Sequence, residues 1–185
     1  GGSWNNNGLI PAHPCAWCKV QQNWVTTINQ SANSAGVVID DVKSGKKVYR
    51  LWRDGGPGNE YFLAEHRMKK NYDKYIPSEG LLIYHIDDSM EDNSNEQHYK
   101  VALLQADGKQ HLEKGTNGGD TGDVWPGTSR KKTFSRSSKP NSKSYGGLDT
   151  KVAIRNIKLN SGKITADIYV KPGAAATKKP AKKKK

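Results

Sequence analysis

Short runs of β-branched and aromatic residues, each closed by turn chemistry, constrain this chain more than any other feature of its sequence. The runs are Gly36-Val37-Val38-Ile39, then 47–52, 61–65, 80–86 and 100–104. Between them stand Lys43-Ser44-Gly45, Asp54-Gly55-Gly56-Pro57-Gly58-Asn59 and Asp107-Gly108, where Gly, Pro and Asp end a strand and turn the chain. A last pair of runs, 152–157 and 164–170, flanks Asn160-Ser161-Gly162 and predicts a hairpin. In it Ile164, Ala166, Ile168 and Val170 share one face, because side chains alternate along a strand. Ahead of all these, Ala12, Ala16, Trp17, Val20 and Trp24 recur at offsets of three and four, which predicts a helix over 11–24 with Pro11 and Pro14 in its first turn. The expected fold is mostly β (α+β overall), an antiparallel β-sandwich-like domain preceded by a helical segment. Its expected division is 1–35 helical, 36–170 β-rich and 171–185 a disordered Lys-rich tail. Residues 115–147, rich in Gly, Ser, Asn and Lys, read as a long surface excursion anchored by Val124, Trp125 and Phe134.

Charge is placed unevenly. The 185 residues carry 30 Lys+Arg against 18 Asp+Glu, a net +12, but seven of the Lys fall in 171–185, so 1–170 holds only 23 − 18 = +5. A Lys/Ala/Pro tail repels itself and has little apolar area to bury, hence the expectation of disorder. Such a tail attracts polyanions by counterion release without reading sequence, or serves only as a solvated linker. No apolar run approaches the ~20 residues that span a bilayer, so no membrane span is expected. The first residues lack both the basic and the apolar regions of a secretory signal, and the chain reads as a piece of a longer protein.

Cys15 and Cys18 form the only Cys-x-x-Cys pair, with His13 two residues upstream. Redox and metal chemistry both use such a pair. No other Cys supplies the second half of a zinc site, so packing as two small helix residues is the simpler reading. None of the five His stands in His-Glu-x-x-His spacing. His85 and Asp87 lie at period two on one strand, and His98 begins the next. This trio reads either as a metal or proton-relay site or as His hydrogen-bonded to carboxylates at a sheet edge. Acidic and amide oxygens gather in two loops, one from Asp87 to Asn95 and one holding Asn117, Asp120 and Asp123. Calcium takes several oxygen ligands from turn-rich backbone, so Asp87, Asp120 and Asp123 are its candidate ligands, although the spacing is not that of an EF-hand.

Several segments, taken in order, resemble one family. Gly2-Ser3-Trp4, Pro11-Ala12-His13, Ala16-Trp17-Cys18-Lys19 and Asn23-Trp24 are similar to the stretch after the Met-turn in immune inhibitor A-like secreted zinc metalloproteases. Further on, 60–67, Asp73, Pro77, Gly80-Leu81-Leu82-Ile83-Tyr84-His85-Ile86-Asp87, Gln105-Ala106-Asp107-Gly108, 122–127 and the closing hairpin resemble that family's post-catalytic region. The resemblance covers residues 1 to about 170. It implies that 1–35 ends a catalytic domain, that the zinc ligands lie upstream of this chain, and that zinc belongs to the full-length parent alone. Cys15 and Cys18 stand where the family has Ser-like residues, and His66 stands where it has an amide. Glu65 and Arg67, two apart on a strand, would form a structural or cleft ion pair.

Two functions are therefore expected. The first is the C-terminal portion of a secreted metalloendopeptidase, scaffolding the cleft and binding calcium but not catalytic alone, whose partners are the upstream catalytic region and a protein substrate. The alternative is a β module binding polyanions through the Lys tail and the basic loop of Arg130, Lys131, Lys132, Arg136, Lys139 and Lys143, with Phe134 and Tyr145 as stacking rings. If the N-terminal helix packs on the catalytic core, Trp4, Trp17 and Trp24 would be exposed in this chain.

Overall fold

The run Gly80–Asp87 contains apolar residues at consecutive positions, the pattern of a strand covered on both faces. In the computed structural model, which describes residues 9–172 and 177–178, that strand (β5) is buried along its whole length and lies at the heart of the larger of two sheets. Its neighbour β4 (Glu60–Arg67) pairs with it antiparallel over eight residues, from Glu60 opposite Asp87 to Arg67 opposite Gly80. β3 (Lys47–Leu51) and β6 (Val101–Leu103) extend the sheet on either side, and β1 (Thr26–Asn29) joins β3 in parallel at the edge. The second sheet holds the expected hairpin, β7 (Ala153–Asn160) and β8 (Lys163–Tyr169), with β2 (Ser34–Ile39) antiparallel to β8 and the two-residue β9 (Thr177–Lys178) parallel to β2.

The sheets face each other. Leu51, Phe62, Ala64, Leu81 and Ile83 of the first pack against Ile154, Ile157, Ile164, Ala166 and Ile168 of the second, with Val170 just beyond β8. The four residues expected on one face of the last strand, Ile164, Ala166, Ile168 and Val170, are all buried there. At about 1.5–3 kcal/mol for each fully buried large aliphatic side chain, this layer is the main hydrophobic contribution to stability. On the opposite face of the first sheet, Tyr61, Leu63, Leu82, Tyr84 and Ile86 are covered by α1 (Ala16–Gln21) and by Val124. Two-sided burial therefore sends alternate residues of β4 and β5 to different neighbourhoods. Glu65 and Arg67 share the α1 side with Tyr61 and Leu63, whereas His66 and His85 alternate to the sandwich side.

The expected extent of the helix needs correction. The helix is six residues long, not fourteen: the chain bearing Pro11 and Pro14 precedes it, and Asn23 in the left-handed region (φ 56) follows it. Trp24 accordingly leaves the apolar stripe and is 60% exposed, while Trp17 is half-buried and donates its indole N–H to Asp88; Trp4 lies outside the described residues. The boundary at 35/36 falls inside β2, and β1 belongs to the main sheet, so 9–35 is not a separate unit. Of the Lys-rich tail, expected to be disordered, Thr177–Lys178 pairs with β2; positions 173–176 and 179–185 lie outside the described residues. The excursion 115–147 is anchored as expected. Trp125 exchanges two backbone hydrogen bonds with Leu81 and Phe134 two with Ile154, and Val124, Trp125 and Phe134 are buried. Gly80 makes room for this docking, since a Cβ there would stand 2.7 Å from the Trp125 carbonyl oxygen. No helix among the described residues is long and apolar enough to cross a membrane.

Candidate functional site

On the α1 side of β4 the charged residues find partners far away in sequence. Lys19, 3% exposed, reaches from α1 to the carboxylate of Glu65 at 2.5 Å, and the Tyr84 hydroxyl donates to the other Glu65 oxygen at 3.1 Å. Burial, then the Glu65 charge, pushes the Tyr84 hydroxyl well above its ordinary range. Arg67 donates to both oxygens of Asp73 and to the His13 carbonyl. Asp73 also accepts from the His13 backbone N–H at 3.0 Å and from Lys43 at 3.2 Å. Burial works against ionised Asp73, but the Arg67 hydrogen bonds and charge outweigh it and hold the carboxyl below its usual value. Glu65 and Arg67 are thus not each other's pair. Each has a separate partner, because the helix supplies Lys19 and the short turn Asn71–Asp73 supplies Asp73.

The excursion builds a second cluster. Asp107 follows β6, and ligand atoms of Asp107, His111 and Asp120 all lie within 4.8 Å of one another. Asp123 lies beside this group but outside it: its Oδ2 accepts from the Asp120 N–H at 2.6 Å, while Asp120 itself accepts from Gly122 N–H at 2.6 Å and Asn117 Nδ2 at 2.9 Å. Asp123 Oδ1 and Asp107 Oδ2 are buried and accept no hydrogen bond. The nearest cation is Lys109 Nζ, 3.5 Å from Asp107 Oδ2 on a largely exposed side chain. Burial, with the charges of Asp120 and Asp107, raises Asp123 above the usual carboxylate value, whereas the Gly122 N–H, His111 and Asn117 hold Asp120 below it. Gly122 keeps the cradle open, because a Cβ there would meet Asp107 Oδ2 and Asp120 Oδ1 at 2.9 Å each. An open depression lined by Asp107, Asp120, Thr121 and Gly122 leads in from solvent. A buried oxygen without a partner, Asp123 Oδ1, beside one held only by an exposed Lys, costs stability unless a further cation takes it. The group could hold a cation: calcium binds carboxylate oxygen at about 2.3–2.6 Å, so ligands on opposite sides of it stand about 5 Å apart.

Asp87 is not part of that cluster. It ends β5, six residues from Leu81 where the excursion docks, roughly 20 Å along a strand. Its carboxylate instead accepts from Ser89 and pairs with His98 Nε2 at 2.8 Å; these interactions outweigh burial and hold it below the usual value. His85 pairs not with Asp87 but with Glu60, at 2.8 Å. Both imidazoles stack on Tyr145, whose ring centroid lies 4.2 Å from that of His85 and 3.9 Å from that of His98. Of the two readings of the trio, the geometry matches His hydrogen-bonded to carboxylates, as two His–carboxylate pairs stacked on one tyrosine. Tyr145 is half-buried against both imidazoles, and Phe134 is in the core.

No protein-family model and no curated protein sequence matches the chain. Its two clusters meet at a cavity of about 150 Å³ lined by Arg67, Leu82, Tyr84 and Val124 together with Asp120 and Asp123. Of the cluster residues, Asp120 and Asp123 are the ones that composition singles out; Asp107 and His111 join only through the fold. Asp107 reads in sequence as a turn residue before Gly108. The buried Gln105 holds this segment in place, since its Oε1 accepts the His111 backbone N–H at 2.8 Å.

Proposed function

We propose that this chain is a calcium-fastened scaffold, the post-catalytic portion of a secreted immune inhibitor A-like zinc metalloendopeptidase, and not catalytic by itself. One observation carries the reading. The residues quoted for the resemblance, His13, Lys19, Glu65, Arg67, Asp73 and Tyr84, are one another's buried or half-buried partners across separations of up to 60 positions. An unpaired charge in such a site costs several kcal/mol, so these pairs fix how the quoted segments pack on one another. In this reading the Lys19–Glu65 and Arg67–Asp73 pairs lock the 11–24 segment, the continuation of an upstream catalytic domain, onto the β-sandwich. Asp107, Asp120 and Asp123 would hold calcium through carboxylate oxygens, with His111 and Asn117 orienting Asp120, and the ion would pin the excursion beside the cavity that Arg67 lines. Calcium supplies charge neutralisation there; zinc and the protein substrate belong to the upstream region.

The test is to join this chain to a zinc-bearing His-Glu-x-x-His catalytic segment of that family and measure casein hydrolysis. Activity is expected in the joined protein, not in this chain alone, and it falls when 11–170 is deleted. Undiminished hydrolysis after deletion would remove the scaffold role. A second reading, polyanion binding, is favoured by a surface cleft lined by Arg136, Lys151, Arg155 and Lys171 with one carboxylate, Asp149. Of the basic loop only Arg136 contributes to it. Retention on heparin that salt abolishes, and that Arg155→Ala weakens, would support this reading.

A further inference from the structure

The two cysteines are used by neither cluster. Cys15 is the residue immediately before α1 and is extended (φ −64°, ψ 166°), so its side chain folds back over the first helical turn toward Cys18, three residues on. The two Sγ atoms lie 3.5 Å apart, both residues are half-buried, and neither is bonded to anything else covalently. A metal would need at least a third ligand. The only group of three or more metal-ligating side chains among the described residues is the one at Asp107, and His13 is engaged elsewhere, its N–H on Asp73 and its ring edge-on to Tyr72. What remains for two facing thiols is chemistry with each other.

We infer that Cys15 and Cys18 form a reversible intrachain disulfide on exchange with a low-molecular-weight disulfide. The inference rests on the two sulfurs and their surroundings, independently of the protease reading. One cysteine, as thiolate, attacks a sulfur of the small disulfide and expels one small thiolate, leaving a mixed disulfide. The other cysteine, after losing its proton, attacks the protein sulfur of that mixed disulfide and expels the second small thiolate. The sum is two protein thiols oxidised and one small disulfide reduced to two thiols, which take up the two protons. Closing the bond needs the sulfurs to approach from 3.5 Å to about 2.05 Å, a movement within reach of side-chain rotation.

The surroundings say which kind of disulfide this is. Burial raises the Cys15 thiol above its ordinary value, so the reduced form gains nothing from a stabilised thiolate there. Strongly oxidising disulfides draw their potential from such stabilisation, which this pair lacks at Cys15. It also acts on the scaffold. Cys15, Trp17 and Val20 pack on the same cluster, and Lys19, the next residue after Cys18, is the cation of Glu65. Closing the turn fixes the helix that delivers Lys19.

The experiment uses the full chain equilibrated at pH 8 in graded mixtures of reduced and oxidised glutathione, quenched with acid and alkylated with iodoacetamide. Mass spectrometry of the peptide ending at Lys19 is expected to show two alkyl groups under reducing conditions. Under oxidising conditions it shows no alkyl group and a mass lower by two hydrogens. The oxidised chain is expected to melt about 4–7 °C above the reduced one, the gain for closing so short a loop in a domain of this size. Cys18→Ser is expected to stop at a single glutathione adduct. Two alkylated cysteines at every ratio, two separate glutathione adducts, or a disulfide-linked dimer of chains would overturn the inference.

Discussion

Replacing Lys19 with Met tests the buried network at its most exposed point of failure. The Lys19 and Glu65 side chains are 4% and 0% exposed, so the variant leaves a carboxylate in the interior without its cation. Breaking a buried pair from one side costs about 3–5 kcal/mol. Tyr84 still donates to Glu65, which points to the lower end, about 3 kcal/mol. In a domain of this size each kcal/mol moves the melting temperature by about 2–4 °C, so Lys19→Met should melt about 6–12 °C below the wild type. The double variant Lys19→Met/Glu65→Gln removes the stranded charge and keeps an acceptor for Tyr84. It should recover to within about 1–2 kcal/mol of the wild type. Urea unfolding followed by Trp fluorescence and circular dichroism measures both. A single variant that loses under about 1 kcal/mol would behave as a solvent-exposed pair does and would refute the account of α1 as a buried tether.

Three further outcomes follow from the same geometry. Gly122→Ala places a methyl carbon 2.9 Å from Asp107 Oδ2 and Asp120 Oδ1, and calorimetry should show calcium affinity reduced at least tenfold while the sandwich stays folded by circular dichroism. His66 is fully buried, and burial lowers its protonation below the ordinary value of about 6.5, outweighing the Asp41 charge and a backbone contact at Ile39. The unfolded chain therefore takes up a proton first. Stability should fall as pH drops from about 6.5 to the folded value and level off below it, a slope that His66→Asn reduces in pH-dependent urea titrations. Tyr145→Ala removes the ring between His85 and His98 and the packing that goes with it; a loss of about 1–3 kcal/mol and faster proteolysis within 140–150 are expected, and unchanged protease resistance would count against the clasp.

The β architecture was legible because alternation and turn chemistry are local signals. The closing hairpin shows this best, since Ile164, Ala166 and Ile168 alternate with exposed or half-buried neighbours and only one register buries them. β1 was missed because Thr26-Thr27-Ile28-Asn29 is short and polar, and its place at the sheet edge comes from parallel pairing with β3. The helix was overextended because offsets of three and four continue through Trp24, while the left-handed turn at Asn23 leaves no mark in that pattern. For the sites, composition pointed to Asp120 and Asp123 but grouped them with Asp87, which the strand carries to the other end of the sheet. Partners such as Lys19 for Glu65 and Asp73 for Arg67 are contacts between distant segments, and no local spacing encodes them. The facing of Cys15 and Cys18, by contrast, follows from their separation of three residues at a helix start.

The measurement that tests the calcium-fastened scaffold most directly is thermal unfolding at pH 7.5 in calcium, in magnesium and in a chelator, for the wild type and for Asp123→Asn. Without a cation, the raised Asp123 carboxyl binds a proton more readily in the folded chain than in the unfolded one, so its contribution is favourable at low pH and is lost as pH rises through the folded value. Calcium binding reverses that sign by favouring the charged form. At a hundredfold excess over its dissociation constant the ion should add about 2.7 kcal/mol, a rise of about 5–11 °C in the wild type. The rise should be absent in magnesium and in Asp123→Asn, and that variant should melt no lower than the wild type in chelator. Melting that is the same in all three solutions would contradict the account.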